Sequence, residues 1–359
     1  MKIALYGAGG GGVGFEKCFR YSSDEVVVFF DRDMSKIGKA VNKIPVDDIN
    51  QHANYNFDSV IISSQPNYEE DIYKKIISSG IDAHKIVPGS ILRNGHNSYF
   101  NLPKNINEIR ACVSGLSYHR DSILQEYCCI PTYNYSRSSQ DIFYDYMIAR
   151  LIVSNTQKGN IKFWFIGLCG YSLEYDLSRS VNWKRCFYYK DKFGTHNLLE
   201  SYKDYYLNKY DYKSTLKKFS KQSVNNISDM FYVKEKKAIE VCSEGQIVRQ
   251  VKKDFSKNYP ETVRENTIIL KKYVSLVRSH GAIPIIFIPP VHPVYKKLSE
   301  NNITQNLLNQ VKMLTQENCA YFINGYELDG YSNFNGGAHL NIQDGILFTK
   351  HINSFIKSL

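Results

Sequence analysis

The sequence predicts an α/β protein of two three-layer domains, each a parallel sheet covered by helices. Three observations predict it. The chain opens on a strand, a glycine-rich turn, a helix and a second strand that ends in an acid. Further on, two almost wholly apolar runs of strand length, Ile161–Leu168 (IKFWFIGL) and Ile283–Ile288 (IPIIFI), alternate with segments of helical period, as buried parallel strands do. At 359 residues the chain also exceeds what one core ordinarily serves.

The first domain is expected over residues 1–90. Its strand KIALY (2–6) runs into Gly7, Gly9 and Gly12, which satisfy G-x-G-x-x-G, and the helix Val13–Tyr21 follows. The second strand, Glu25–Phe30, ends at Asp31. Glycines at those places let a backbone approach a pyrophosphate, the helix N-terminus stabilises its charge, and the acid can accept from a ribose. A strand at Ile44–Val46, a strand at Ser59–Ser63, a helix Tyr68–Ser79 closed by Gly80 and a strand Lys85–Val87 complete a Rossmann-like unit. It is expected to hold NAD or another nucleotide through Gly7, Gly9, Gly12 and Asp31; Arg32 leaves NADP open. The plain alternative is a vestigial site in a packing module. The residues YGAGGGG (6–12), FFDRD (29–33) and VIISS (60–64) resemble the N-terminal nucleotide-binding domains attached to many bacterial surface-polysaccharide enzymes.

Residues 91–108, rich in Asn, Gly and Ser, read as a linker, and the second domain follows over 109–359. It opens on ACVSGLSYHRDS (111–122), a short strand breaking at Gly115 and presenting Ser117 on the next turn. A serine there is where several hydrolase folds expose a nucleophile, although most such serines are caps or turn formers. Ser138–Asp141 caps a helix over Ile142–Asn155, whose apolar positions recur at helical spacing. The loop after Ile161–Leu168 lies at the carboxyl edge of the sheet, which makes Asp176 and Arg179 candidate substrate contacts; a local ion pair or turn cap is the alternative. Residues 182–258, dense in Tyr and Lys, read as a helical insertion with a solvated Lys face. Order returns with a helix from Pro260 to His280, the strand Ile283–Ile288, a helix near Thr304–Asn318 and a strand near Ala320–Ile323. Last comes the glycine-rich stretch Tyr331–Gly345, which carries His339 and leads into a terminal helix over Ile346–Ile356.

Those residues resemble the SGNH (GDSL-type) hydrolase superfamily, especially its branch in bacterial cell-envelope and capsule polysaccharide modification. The resemblance is carried by Gly115-Leu116-Ser117-Tyr118, His339-Leu340-Asn341, SSQDIFYDY (138–146), FIGLCGYSLEYDLS (165–178) and FIPPVHPVY (287–295). It implies an SGNH-like (flavodoxin-like) sheet, with Ser117 as nucleophile and His339 as general base. Tyr118, Asp176, Arg179, His292 and Asn341 are the candidate substrate contacts. The pattern departs from the family at Gly336, where an Asp usually orients the imidazole. It departs also at Gly167–Gly170, which lacks the oxyanion Asn, and at Leu116, where Asp is commonest. The orienting group is therefore expected to be Asp329, Asn335 or a backbone carbonyl, with Asp329 and the carbonyl the leading candidates. In a working pair, Ser117 Oγ and a ring nitrogen of His339 should lie within about 4 Å.

Hydrophobic residues make up 43% and charged residues 22% of the chain, with a net charge of +10 that favours acidic partners. No nucleic-acid motif is present; the resemblance implies a sugar nucleotide or lipid-linked glycan as partner, with an acyl donor such as acetyl-CoA. The eight cysteines show no metal-ligand spacing, and Cys112 and Cys169 read as buried thiols of a reducing, cytoplasmic compartment. No apolar run approaches the roughly 20 residues of a membrane span, which leaves only peripheral membrane association open. The function the resemblance implies is a serine-dependent O-acyl (acetyl) transferase or esterase in cell-surface polysaccharide biosynthesis. The alternatives are an NAD(P)-dependent sugar oxidoreductase or epimerase, weakened by the lack of a Tyr-x-x-x-Lys pair in the usual place, and a non-catalytic sugar- or nucleotide-binding module.

Overall fold

A computed structural model describes residues 1–64, 68–94, 102–198, 215–233, 243–257, 259–317 and 320–359. The protein is α/β and divides into two compact units, Met1–Tyr99 with Val181–Lys237, and Phe100–Ser180 with Ala238–Leu359.

The first unit holds β1 (Lys2–Tyr6), β2 (Glu25–Phe30), β3 (Ala40–Val41), β4 (Ile44–Asp47), β5 (Ser59–Ile62) and β6 (Ile86–Pro88), in the spatial order β3-β4-β2-β1-β5-β6. All neighbours pair in parallel except β3 with β4, which form an antiparallel edge. Alternate residues of each strand feed two apolar layers, as the two-residue period of a strand requires. Ile3, Leu5, Phe29 and Ile61 pack with Phe15 and Phe19 of the helix Gly10–Phe19. Ala4, Tyr6, Val28 and Ile62 pack with Ile72 and Ile76 of the helix Glu69–Ser78. Strand order reverses between β1 and β5, because the chain builds outward from β1 to β4 and then returns to β5. Open α/β sheets bind ligands at such a point.

The second unit holds β7 (Ala111–Ser114), β8 (Thr132–Asn134), β9 (Phe163–Gly167), β10 (Ile283–Ile288) and β11 (Tyr321–Asn324), in the order β11-β10-β9-β7-β8 and wholly parallel. Here the reversal lies between β7 and β9. Phe165 and Phe287 point to the layer containing Phe348, Ile352 and Ile356 of the terminal helix Ile342–Ser358. Trp164, one residue along, points to the opposite layer, where its Nε1–H donates to the buried hydroxyls of Tyr135 (3.0 Å) and Tyr273 (2.9 Å). A small antiparallel hairpin, β12 (Phe334–Asn335) and β13 (His339–Leu340), precedes the terminal helix.

The domain boundaries differ from the sequence expectation in one respect. The Tyr/Lys-rich segment 182–258 does not belong to the second domain as a single insertion; its first part returns to the first unit. There Phe219 and Ile227 are buried, and Leu216, Val224 and Met230 pack beside them, against Phe15, Cys18 and Phe19. Asp24 pins the segment by accepting from Ser220 N–H and Ser223 Oγ, both at 2.7 Å. The helix Lys221–Val233 is thus core, which a reading based on its Lys content misses because apolar residues at helical spacing are masked by solvated neighbours. Only the helix Glu244–Asp254 joins the second unit from the described part of the segment. Residues 199–214 and 234–242 of it, 95–101 of the expected linker, and Cys242 and Cys319 lie outside the described residues. Cys112 and Cys169 are buried free thiols. Among the described residues, no helix is long and apolar enough to cross a membrane.

Candidate functional site

The turn after β7 is shaped by a buried imidazole. Gly115 has φ +127°, and a Cβ there would come within 2.3 Å of His119 Nδ1. A Cβ on Gly167, at the end of β9, would lie 2.3 Å from His119 Cδ2. The two glycines therefore make the slot that admits the ring, whose edge also meets Phe287 at 5.1 Å. His119 Nδ1 accepts from Leu116 N–H (2.9 Å), and its Nε2–H donates to Leu168 O (3.0 Å), which fixes the tautomer. Burial pushes its pKa down to about 4, against the raising effect of the Leu168 and Leu116 hydrogen bonds, so the ring is neutral. Gly115 N–H donates to the buried Asp145 Oδ1 (3.2 Å), and Gln140 Nε2 donates to the same oxygen. Burial raises Asp145 to about 8, a protonated acid at neutral pH.

So anchored, the turn starts the short helix Ser117–Ser122 with Ser117 as its first residue. Ser117 Oγ lies 3.4 Å from His339 Nε2, and His339 Nδ1 lies 2.8 Å from Asp121 Oδ2. All three belong to the second unit, at the reversal of strand order. Asp121 sits four residues after Ser117, one helical turn on and on the same face. Arg120 holds it in place through Nε to Oδ1 at 2.8 Å. Burial alone would raise the Asp121 pKa, but hydrogen bonds from His339 and Arg120 outweigh it and hold the group ionised.

The orienting carboxylate is therefore Asp121, whereas the sequence pointed to Asp329 or a backbone carbonyl; Asp329 is exposed on the approach to the hairpin. The partner comes not from the chain near His339 but from the helix that carries Ser117. The signal available was the i, i+4 spacing of Ser117 and Asp121. His339 itself lies in a paired strand, across from Asn335, instead of a bare glycine loop. The Asn335 Oδ1 is buried without a hydrogen-bond partner.

The expected substrate contacts fare differently. Tyr118 is only 7% exposed; its ring meets the His339 imidazole edge-on at 4.6 Å, and its hydroxyl faces inward. Asn341 caps the terminal helix by accepting from Asp344 N–H (2.9 Å). His292 caps the helix Pro293–Ser299 by accepting at Nδ1 from Val294 N–H (3.2 Å), while its backbone N–H donates to Gly337 O (2.9 Å). Asp176 accepts from Ser178 N–H and pairs with Arg179 at 3.8 Å, the local cap and ion pair of the plainer reading. Each of these five residues has a local structural contact.

In the first unit, Gly7, Gly9–Gly12, Asp31, Arg32, Lys36, Ser63 and Ser64 line a crevice of about 330 Å³ at the β1/β5 reversal. Asp31 is at its edge, yet its Oδ2 accepts from Ala8 N–H (2.7 Å) and Lys36 Nζ (3.2 Å), and its Oδ1 from Asp33 N–H (3.0 Å). Burial works to raise its pKa, but those donors lower it overall. The carboxylate thus first staples the glycine loop, and little of its accepting capacity is left for a ribose.

Residues 1–87 match the family described as C2185-like, N-terminal. No curated protein matches the chain. Among solved structures, the chain is similar to the UDP-D-quinovosamine 4-dehydrogenase of Vibrio fischeri, at 16% identity and a TM-score of 0.21, over 24% of this chain and 75% of that one. A score that low carries no argument about fold or activity.

Proposed function

We propose that the second unit is a serine-dependent acyl transferase or esterase of the SGNH kind. The observation that carries the reading is the connected series Ser117 Oγ, His339 and Asp121, at 3.4 and 2.8 Å. Ser117 Oγ attacks an acyl carbonyl carbon, and its proton passes to His339 Nε2. The bond to the leaving group then breaks, and that group takes the proton from His339. An acceptor hydroxyl, or water in the esterase case, next attacks the acyl-serine, gives its proton to His339, and Ser117 leaves with that proton restored. Asp121 holds the imidazole with Nδ1 protonated and stabilises the imidazolium as it forms. The N–H groups of Gly115 and Leu116 are engaged by Asp145 and His119, so the oxyanion falls to the N–H of Ser117 at the open first turn of its helix.

The acceptor is a sugar nucleotide or lipid-linked glycan, and the donor an acyl thioester such as acetyl-CoA. The glycine-lined crevice of the first unit, flanked by Arg32 and Lys36, suits a nucleotide or its phosphates. A serine-reactive fluorophosphonate tests the reading: after incubation, mass spectrometry should find the adduct on the peptide containing Ser117, and His339→Ala should abolish it. Absence of the adduct in the native chain would leave the binding-module reading as the better one.

A further inference from the structure

We infer that Gln250 positions the His339 imidazole, an inference that rests on the serine-dependent reading above. Gln250 lies on the helix Glu244–Asp254, within the segment whose sequence reads as a solvated insertion. Ile247, Gln250, Val251 and Asp254 follow the spacing of one helix face. Ile247 and Val251 join Leu116, Tyr118, Tyr295 and Ala338 in one apolar cluster, so this face lies against both the serine turn and the histidine hairpin.

The Gln250 amide connects those two parts. Its Oε1 accepts from Gly337 N–H at 3.1 Å, at the tip of the hairpin two residues before His339. Its Nε2 donates to Tyr118 Oη at 3.2 Å, on the residue that follows the nucleophile. The Tyr118 hydroxyl also accepts from Tyr171 Oη (3.2 Å) and donates to Asp254 Oδ2 (3.4 Å), which uses its one donor and both lone pairs. Tyr295 Oη donates to that same Asp254 oxygen at 3.0 Å. The Tyr118 ring, held by this network, stands edge-on to the imidazole at 4.6 Å.

Two-residue strands make few ladder hydrogen bonds, so the His339 hairpin depends on outside contacts for its position. One amide supplies such a contact on the imidazole side and another on the nucleophile side. Without it the two sides can shift independently, and a displacement of about 1 Å at a reacting pair costs roughly a hundredfold in rate. Gln250 touches neither Ser117 nor His339, so it acts as a positioning residue.

The experiment measures the rate at which the fluorophosphonate labels Ser117 in the full chain. Gln250→Leu should slow labelling about tenfold, a conversion of about 1.4 kcal/mol, and should shift the NMR ring-proton resonances of His339 as Tyr118 moves. Gln250→Glu keeps an oxygen for Gly337 N–H but loses the donor to Tyr118 Oη, and should recover only part of the rate. Arg249→Ala, on the exposed side of the same helix, should leave the rate unchanged. Should Gln250→Leu not fold, Gln250→Asn keeps both amide groups on a shorter side chain and is read the same way. Labelling of the native chain together with an unaltered rate and unaltered His339 resonances in the folded Gln250 variant would overturn the inference and leave the function standing. No labelling of the native chain would overturn both.

Discussion

Both units place a glycine-containing turn at the carboxyl end of their first strand, where the order of a parallel sheet reverses, yet the two turns offer different chemistry. In the first unit, Asp31 is spent on the turn: it accepts from Ala8 N–H and keeps Gly7–Gly12 in shape. Beside the backbone, the crevice is lined by the exposed Arg32 and by Lys36, whose Nζ is already paired with Asp31. In the second unit, the turn is held from beneath by His119 and by Asp145, both buried. A third group, Asp121, is thereby left to face the His339 imidazole. A carboxylate near a strand end therefore serves either the backbone or a side chain, and the number of other groups available to hold the turn decides which. The first turn suits a bound anion, and the second suits a nucleophile.

The largest effect should come from breaking the second site outright. His339→Ala is expected to lower Ser117-dependent acyl transfer by about a thousandfold or more, with Ser117→Ala no worse in combination, because the residues act as a unit. Rates for both single variants and the double variant check this, and additive losses would show that the pair does not work together. Next is the orienting acid. Asp121→Asn should cost about a hundred- to a thousandfold while leaving the unfolding midpoint within a few degrees, since it reverses the tautomer preference of His339. Asp329→Asn should change little. The opposite ranking would restore the carboxylate on the hairpin's own approach as the partner.

The first turn can be broken in two distinguishable ways. Gly12→Ala would bring a Cβ to 1.9 Å from Gly7 O and is expected to destabilise the first unit by about 2–3 kcal/mol, read by urea unfolding. Gly9 has φ −99° and nothing within 4 Å of an added Cβ, so Gly9→Val should fold normally. Its side chain should nevertheless abolish nucleotide binding measured by calorimetry; unchanged affinity for a nucleotide the native chain binds would place that ligand elsewhere.

A slope in pH tests the group beneath the second turn. Asp145 titrates near 8 when folded and near 3.9 when unfolded. Between those values the folded chain keeps a proton that the unfolded chain has released, so this group lowers stability as pH rises from about 4 to about 8. Asp145→Asn should flatten the decline in unfolding midpoint between pH 5 and pH 8. An identical decline in the variant would mean that the turn is held by an ionised Asp145.

By itself the sequence determined the local elements. The observed strands at 2–6, 25–30 and 283–288 and the helix from Pro260 match the expected bounds, because alternation, apolar runs, glycines and caps act over a few residues. The two parallel α/β sheets follow from the same short-range signals. Ser117 and His339 stood out because each lies in a glycine-bearing stretch of sequence that leads into a helix. Only the tertiary structure decided what those residues touch. It brought Asp121 to His339 across 218 positions, committed Asp31 to Ala8, and divided the Tyr/Lys-rich segment between the two units. The reason is physical. A hydrogen-bond partner is fixed by where packed elements leave an open acceptor, and that depends on the position of every element in the layer.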